Sequence, residues 1–104
     1  MKIERIEIYP LVAELDEPFG WSQRWTNSRA TTAVKIIADD GTYGWGERGA
    51  ADSMRALAPL LIGEDPTLPE RAWQKIYREI YQGHNFAGPG MVALSAFDMA
   101  LWDI

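Results

Sequence analysis

The apolar residues of this chain change their spacing once, near residue 50, and that change bounds what the chain folds into. Before it, apolar and polar residues alternate. "KIERIEIYPLVAEL" alternates through Ile6 and Ile8 and predicts a first strand over residues 2–14. Pro10 has no N–H for a ladder, so it marks an edge or a bulge. "TTAVKIIAD" predicts a second strand over residues 31–39, with Val34, Ile36 and Ala38 on one face and Lys35 on the other. Asp40-Gly41 is a strong hairpin signal, and "TYGWGE" after it reads as a third strand. The first half is a three-stranded antiparallel meander.

After residue 50 the period is 3.6. Asp52 or Ser53 is placed to cap a helix carrying Met54, Leu57, Ala58 and Leu61, which Pro59 should break or kink. Thr67 to Glu70, "TLPE", has the form of a capping box. The helix it would open carries Trp73, Ile76, Tyr77, Ile80 and Tyr81 on one face and ends at Gly83. "GHNFAGPG" reads as a loop, and a last helix is expected from about Met91. In "ALSAFDMALWDI", Leu94, Phe97, Leu101 and Ile104 form one stripe. Ala93, Ala96 and Ala100 form a second, small enough for another backbone to approach, and Ser95, Asp98 and Trp102 a third. A helix apolar nearly all round belongs in the interior of something larger. It is either the core helix of a small domain that ends raggedly, or part of a longer protein. Sheet first and helices second, with no repeat or linker, is an α+β arrangement in one unit, residues 1–104.

Composition excludes several functions. The 15 acidic and 10 basic residues give a net charge of −5, and the basic residues are scattered, which argues against a nucleic-acid partner. With no cysteine there is no disulfide, thiolate metal site or cysteine nucleophile. The charged start "MKIERIEIYP" is unlike a signal peptide, and the longest uncharged run, Phe86 to Phe97, is too short to span a bilayer. A cytoplasmic protein without membrane contact is expected. His84 is the only histidine and is expected at the surface of its glycine-bounded loop. The pairs Asp16-Glu17, Asp39-Asp40 and Glu64-Asp65 fall in predicted turns, where adjacent carboxylates do not by themselves converge on a cation.

One connector is too long. "EPFGWSQRWTNSR", Glu17 to Arg29, joins the first two strands, where a hairpin needs about two to five residues. It mixes Phe19, Trp21 and Trp25 with Ser22, Gln23, Arg24, Asn27 and Arg29, the composition of a lid over a polar small molecule. The other reading folds Phe19 and Trp21 back onto the domain's own core. The turn "ERGAAD", Glu47 to Asp52, leaves the third strand and is a candidate neighbour of that loop.

The ordered set "DDGTYGWGE", "LLIGEDP" and "ALSAFDMALWDI" resembles the start of the mandelate racemase and muconate lactonizing enzyme group of the enolase superfamily, over essentially the whole chain. The resemblance implies an enolase N-terminal-domain-like cap over a (β/α)-barrel expected after Ile104. That barrel would carry the acidic ligands of Mg2+ and the bases that remove a proton next to a carboxylate. None of those catalytic residues is present here, so the segment alone should be inactive. The implied partners are a small-molecule carboxylate, the chain's own C-terminal barrel and further copies in a homo-oligomer. In such caps the loops after the first and third strands select substrate. By position these are Phe19, Trp21, Arg24, Trp25 and Asn27 on one side and Glu47 and Arg48 on the other. Their polar, aromatic mix leans toward an acid-sugar dehydratase or sugar-lactone cycloisomerase. A racemase or epimerase, a muconate-type cycloisomerase and, in another class, a free-standing binding module are the alternatives.

Overall fold

A computed structural model describes residues 1–83 and 87–104, so His84 and the middle of its loop lie outside the described residues. Strands β1 (Ile3–Trp21), β2 (Arg24–Ala38) and β3 (Tyr43–Glu47) form one antiparallel sheet in the order β1-β2-β3. Helices α1 (Ala51–Leu57), α2 (Pro69–Gln82) and α3 (Pro89–Asp103) follow, with a single 3₁₀ turn, Ala58–Leu60, after α1. This is the expected α+β meander with helices behind it.

The register pairs Ile6 with Ile36 and Ile8 with Val34, which puts the alternating apolar residues on one face. Val34, Ile36 and Ala38 are fully buried there, and Val34 and Ile36 share one core with Met54, Ile76, Leu94 and Phe97 from the helices and Leu61 from the turn after Leu60. Each large side chain so buried contributes roughly 1.5–3 kcal/mol. The Asp40-Gly41 hairpin is the three-residue kind. Gly41 takes φ 88°, its N–H bonds Ala38 at 3.0 Å, and the Asp40 carboxylate accepts the Thr42 amide at 2.9 Å. The Thr42 amide, with the Thr42 hydroxyl beside it, holds the Asp40 carboxyl below the usual carboxylate range.

α3 is the centre of the helix layer. Ala96 and Ala100 face β3 at Gly44 and Gly46, where any Cβ would overlap the helix backbone. The small-residue stripe read in the sequence therefore admits a strand. Most of α3 is covered by this chain itself: Ala93, Leu94, Phe97 and Leu101 are buried, while Met99 and Trp102 remain exposed. Asp103 then closes the sheet edge by accepting the Trp45 amide at 2.8 Å.

Several local expectations need correcting. The segment expected to be a loop after residue 14 continues as strand. β1 and β2 run on as a two-stranded ribbon, closed at Ser22-Gln23 by the Trp21–Arg24 pair. Residues 15–18 are set against Asn27 alone, a bulge that absorbs Asp16, Glu17 and Pro18. α1 begins after Ala50, so Asp52 and Ser53 lie inside its first turn and cap nothing. Pro59 does end α1, as the start of the 3₁₀ turn. The "TLPE" capping box does not form: Leu68 is the N-cap, and the Thr67 hydroxyl donates instead to Asp65 at 2.7 Å. With Pro69 at the first helical position, one amide that the box would serve is already missing. On α2, Ala72, Ile76 and Ile80 form the buried face. Trp73, Tyr77 and Tyr81 stack along its flank, Trp73 and Tyr77 at 4.9 Å. α3 starts at Pro89, before Met91, because Gly88 serves as N-cap.

Glu64 links α2, through its carboxyl, to the sheet, through its backbone. It accepts Lys75 at 2.6 Å and pairs with Arg71 at 3.5 Å, while its backbone carbonyl takes the Ile3 amide at 2.8 Å. The Lys75 bond is the main reason its carboxyl titrates below the usual range.

Candidate functional site

The helix layer backs the inner part of the sheet, and the outer part of the β1–β2 ribbon runs on without it. Leu11, Val12, Phe19, Trp21 and Trp25 are all exposed there, Trp25 to 75%. A two-stranded ribbon uncovered on both faces has little to hold it. This is where the candidate residues lie.

They fall into two groups. Cross-strand pairing puts Phe19 opposite Thr26 and Trp21 opposite Arg24. Together with Ser28 and Arg29 these four line a cleft of 460 Å³. The Arg24 guanidinium lies 5.7 Å from the Trp21 ring centre and the Arg29 guanidinium 5.3 Å from the Phe19 ring. Stacking of this kind holds a cation in place and leaves its N–H groups available. Trp25 is opposite Gly20, and its ring covers that glycine, so a Cβ at Gly20 would meet it at 3.0 Å. Neither Trp25 nor Asn27 lines that cleft. The structure therefore brings Phe19, Trp21 and Arg24 together and separates Trp25 and Asn27 from them.

Glu47 and Arg48 line a second cleft, of 630 Å³, with Leu11, Ala13, Arg29 and Thr31. It sits where the ribbon leaves the sheet, and Arg29 lines both clefts. Its floor is set by β2: the Thr31 hydroxyl donates to the Glu47 carboxylate, and the Thr32 carbonyl accepts the Arg48 amide at 2.9 Å. Arg48 has φ 113° and Gly49 φ 103°. For a residue with a Cβ that region costs about 1–3 kcal/mol, and such strain concentrates at functional turns. Thr31 was legible only as a strand residue. Its bond to Glu47 depends on the β2–β3 register, which the turn type at Asp40-Gly41 sets and the alternation of β2 alone does not.

Among the described residues Arg24, Arg29 and Arg48 have no ion-pair partner, as is also true of Lys2, Lys35 and Arg78, whereas Arg5, Arg55, Arg71 and Lys75 have one. No group of three His, Cys, Asp or Glu side chains suited to a metal ion occurs among the described residues. No helix there is long and apolar enough to cross a membrane.

Residues 5–104 match the family described as mandelate racemase / muconate lactonizing enzyme, N-terminal domain. The chain is 39% identical over 110 residues to the D-galactarolactone cycloisomerase of Agrobacterium fabrum, covering 100% of itself and 29% of that protein. It is 42% identical over 85 residues to a D-galactonate dehydratase family member of Cellvibrio japonicus, covering 73% of itself and 20% of that protein. Among solved structures, the 3,6-anhydro-D-galactonate cycloisomerase of Zobellia galactanivorans superposes with a TM-score of 0.79 at 34% identity, over 99% of this chain and 28% of that one. The chain thus spans less than a third of the length of each of these proteins.

Proposed function

The chain belongs to the mandelate racemase / muconate lactonizing enzyme family as its N-terminal domain, and on that footing we propose that it is the substrate-selecting cap of an acid-sugar dehydratase or sugar-lactone cycloisomerase. The observation that carries this reading is the pair of clefts along the ribbon, one running from its tip and one at its base. Both are lined by arginines without ion-pair partners, and one is walled by aromatic rings. A guanidinium offers a planar fork of donors to carboxylate or paired hydroxyl oxygens. The Phe19 and Trp21 rings offer the apolar faces that cover a sugar's C–H surface and exclude water. Relatives named for galactarolactone and galactonate support the acid-sugar class.

In this reading the chemistry, removal of a proton next to a carboxylate, belongs to a barrel of about 250 residues on the same polypeptide. Magnesium, when bound, offsets the charge that develops on that carboxylate. The described residues do not fit it, since they present no group of ligands, and its site is assigned to the barrel. What this chain contributes is recognition at the end of the substrate away from the reacting carbon. A homo-oligomeric parent in the cytoplasm is part of the same proposal.

The test is the complete polypeptide, recovered from its source cells, sized, and incubated with magnesium and a panel of acid sugars and their lactones in deuterated buffer. Dehydration or ring isomerisation, with deuterium entering next to the carboxylate, is the expected result. A native polypeptide of 11.7 kDa, or no turnover and no deuterium uptake with any acid sugar, overturns the reading.

A further inference from the structure

An antiparallel sheet with one face on the core commonly turns polar residues outward on the other. Here the outward positions of β1 and β3 carry Tyr9, Tyr43 and Trp45, each between 41% and 51% exposed. The register sets them side by side. Lys35 is flanked by Glu7 and Trp45, and Ala33, opposite Tyr9, is small enough to let that ring reach Trp45 at 5.8 Å. The rings are already held in place. The Lys35 ammonium lies 4.0 Å from the Tyr43 ring centre and 5.3 Å from that of Trp45, and the Tyr9 hydroxyl donates to the Glu7 carboxylate at 3.0 Å. A surface whose side chains are fixed before contact loses less freedom on binding.

The rest of the polypeptide, in the reading proposed above, leaves from the other side of the sheet. Ile104 packs behind Gly44, where an added Cβ would meet its Cγ1 at 2.9 Å, and the exposed Met99 and Trp102 are on α3. Both sheet edges are blunted against an incoming strand. Asp103 takes the Trp45 amide on β3, and on β1 Ile3 is bonded to residues 63 and 64 while Pro10 has no N–H. Contact through the face is what remains. Where all three strands pair, that face carries Arg5 and Lys35 against Glu7 and Glu47, so two copies of it do not repel although each chain carries −5. A two-fold contact requires such a self-complementary patch. The molecule measures 45 × 32 × 18 Å, and its broad side leaves room for the about 800 Å² per partner that a stable interface uses.

We infer that the outer face of the sheet is where a second copy of this polypeptide docks, face against face about a two-fold axis, with Tyr9, Tyr43 and Trp45 of each copy at the centre. This gives a surface to the homo-oligomer of the reading above, and needs from that reading only that the rest of the chain lies on the helix side.

The complete polypeptide, without substrate, is sized by sedimentation equilibrium as wild type, W45E, W45F and I62E. Ile62, an exposed apolar residue in the turn before α2, is the control away from this face. Wild type is expected to be a dimer or an even-numbered assembly. W45E is expected to raise its dissociation constant about 30-fold or more, the loss of one central aromatic anchor. W45F and I62E are expected to stay within about threefold of wild type. A monomeric wild type, or an assembly that W45E leaves intact, overturns the proposal. Should W45E fail to fold, benzoylphenylalanine in place of Tyr43 decides. A light-induced cross-link to β1 or β3 of a second copy supports the proposal, and a cross-link confined to the protein's own chain, or none, overturns it. An active monomer sinks this proposal alone, whereas a dimer without activity on any acid sugar sinks the acid-sugar reading alone.

Discussion

Gly44 and Gly46 decide how close α3 lies to the sheet. A Cβ at Gly44 would stand 2.8 Å from the Ile104 nitrogen as well as overlapping the Ala100 carbonyl, and one at Gly46 would overlap the Ala96 carbonyl. Backbone cannot rotate aside as a side chain does, so a methyl at either position must push strand and helix apart. Gly46→Ala is expected to cost about 3 kcal/mol or more, the upper end for overpacking. Gly41 makes the comparison fair, since it has φ 88° but nothing within 4 Å of an added Cβ. Gly41→Ala is expected to cost only the left-handed backbone penalty of about 1–2 kcal/mol. Urea midpoints of the two variants check this. A Gly46→Ala loss no larger than that of Gly41→Ala would mean that the close strand–helix approach contributes little to the fold.

Among the elements, the ribbon separates what was legible from what was not. The inner sheet could be read because burial on one face imposes alternation: Ile6, Ile8, Val34 and Ile36 show it in the sequence and occupy the core face in the fold. The outer ribbon is uncovered on both faces, so no alternation is imposed, and Asp16, Glu17 and Pro18 disguise it as loop. Its turn is equally silent. Ser22-Gln23 lacks the glycine or asparagine that marks a two-residue hairpin, and neither residue adopts a positive φ. The candidate residues were proposed from composition, while the placing of Phe19 and Trp21 beside Arg24 depends on the bulge opposite Asn27, which composition does not encode. The α2 start was misread because Pro69 replaces the capping box that the same letters suggest. The same contrast between inner and outer ribbon sets the dynamics. In the 104-residue chain, the amides of β2 between Trp25 and Arg29 are expected to exchange about 100-fold or more faster than those between Val34 and Ile37, where the helix layer covers the ladder. Hydrogen exchange read by NMR measures this directly. Uniform protection along β2 would mean that the ribbon supports itself and needs no cover.

At the scale of the whole molecule, the chain is a slab of 45 × 32 × 18 Å. Its sequence reads α3 as a helix for the interior of something larger, and the sheet, α1 and α2 already cover most of it. What remains uncovered is confined: Met99 is 42% and Trp102 66% exposed, and Trp102 borders a cleft of 470 Å³ with Leu68, Pro69 and Gln74 at the start of α2. In the reading proposed above, a barrel docked beside α3 would cover this groove. The two states of the polypeptide then respond differently to one substitution. In the 104-residue chain, Trp102→Glu alters a solvated position and is expected to change stability by no more than about 0.5 kcal/mol. In the longer polypeptide the same carboxylate would be buried against apolar surface, with an expected loss of about 2 kcal/mol or more. Denaturant midpoints of both forms, each with and without the substitution, make the measurement. An equal, small effect in both would place the barrel on another face of the slab, and a large effect in the short chain would show that Trp102 supports the fold of the cap itself.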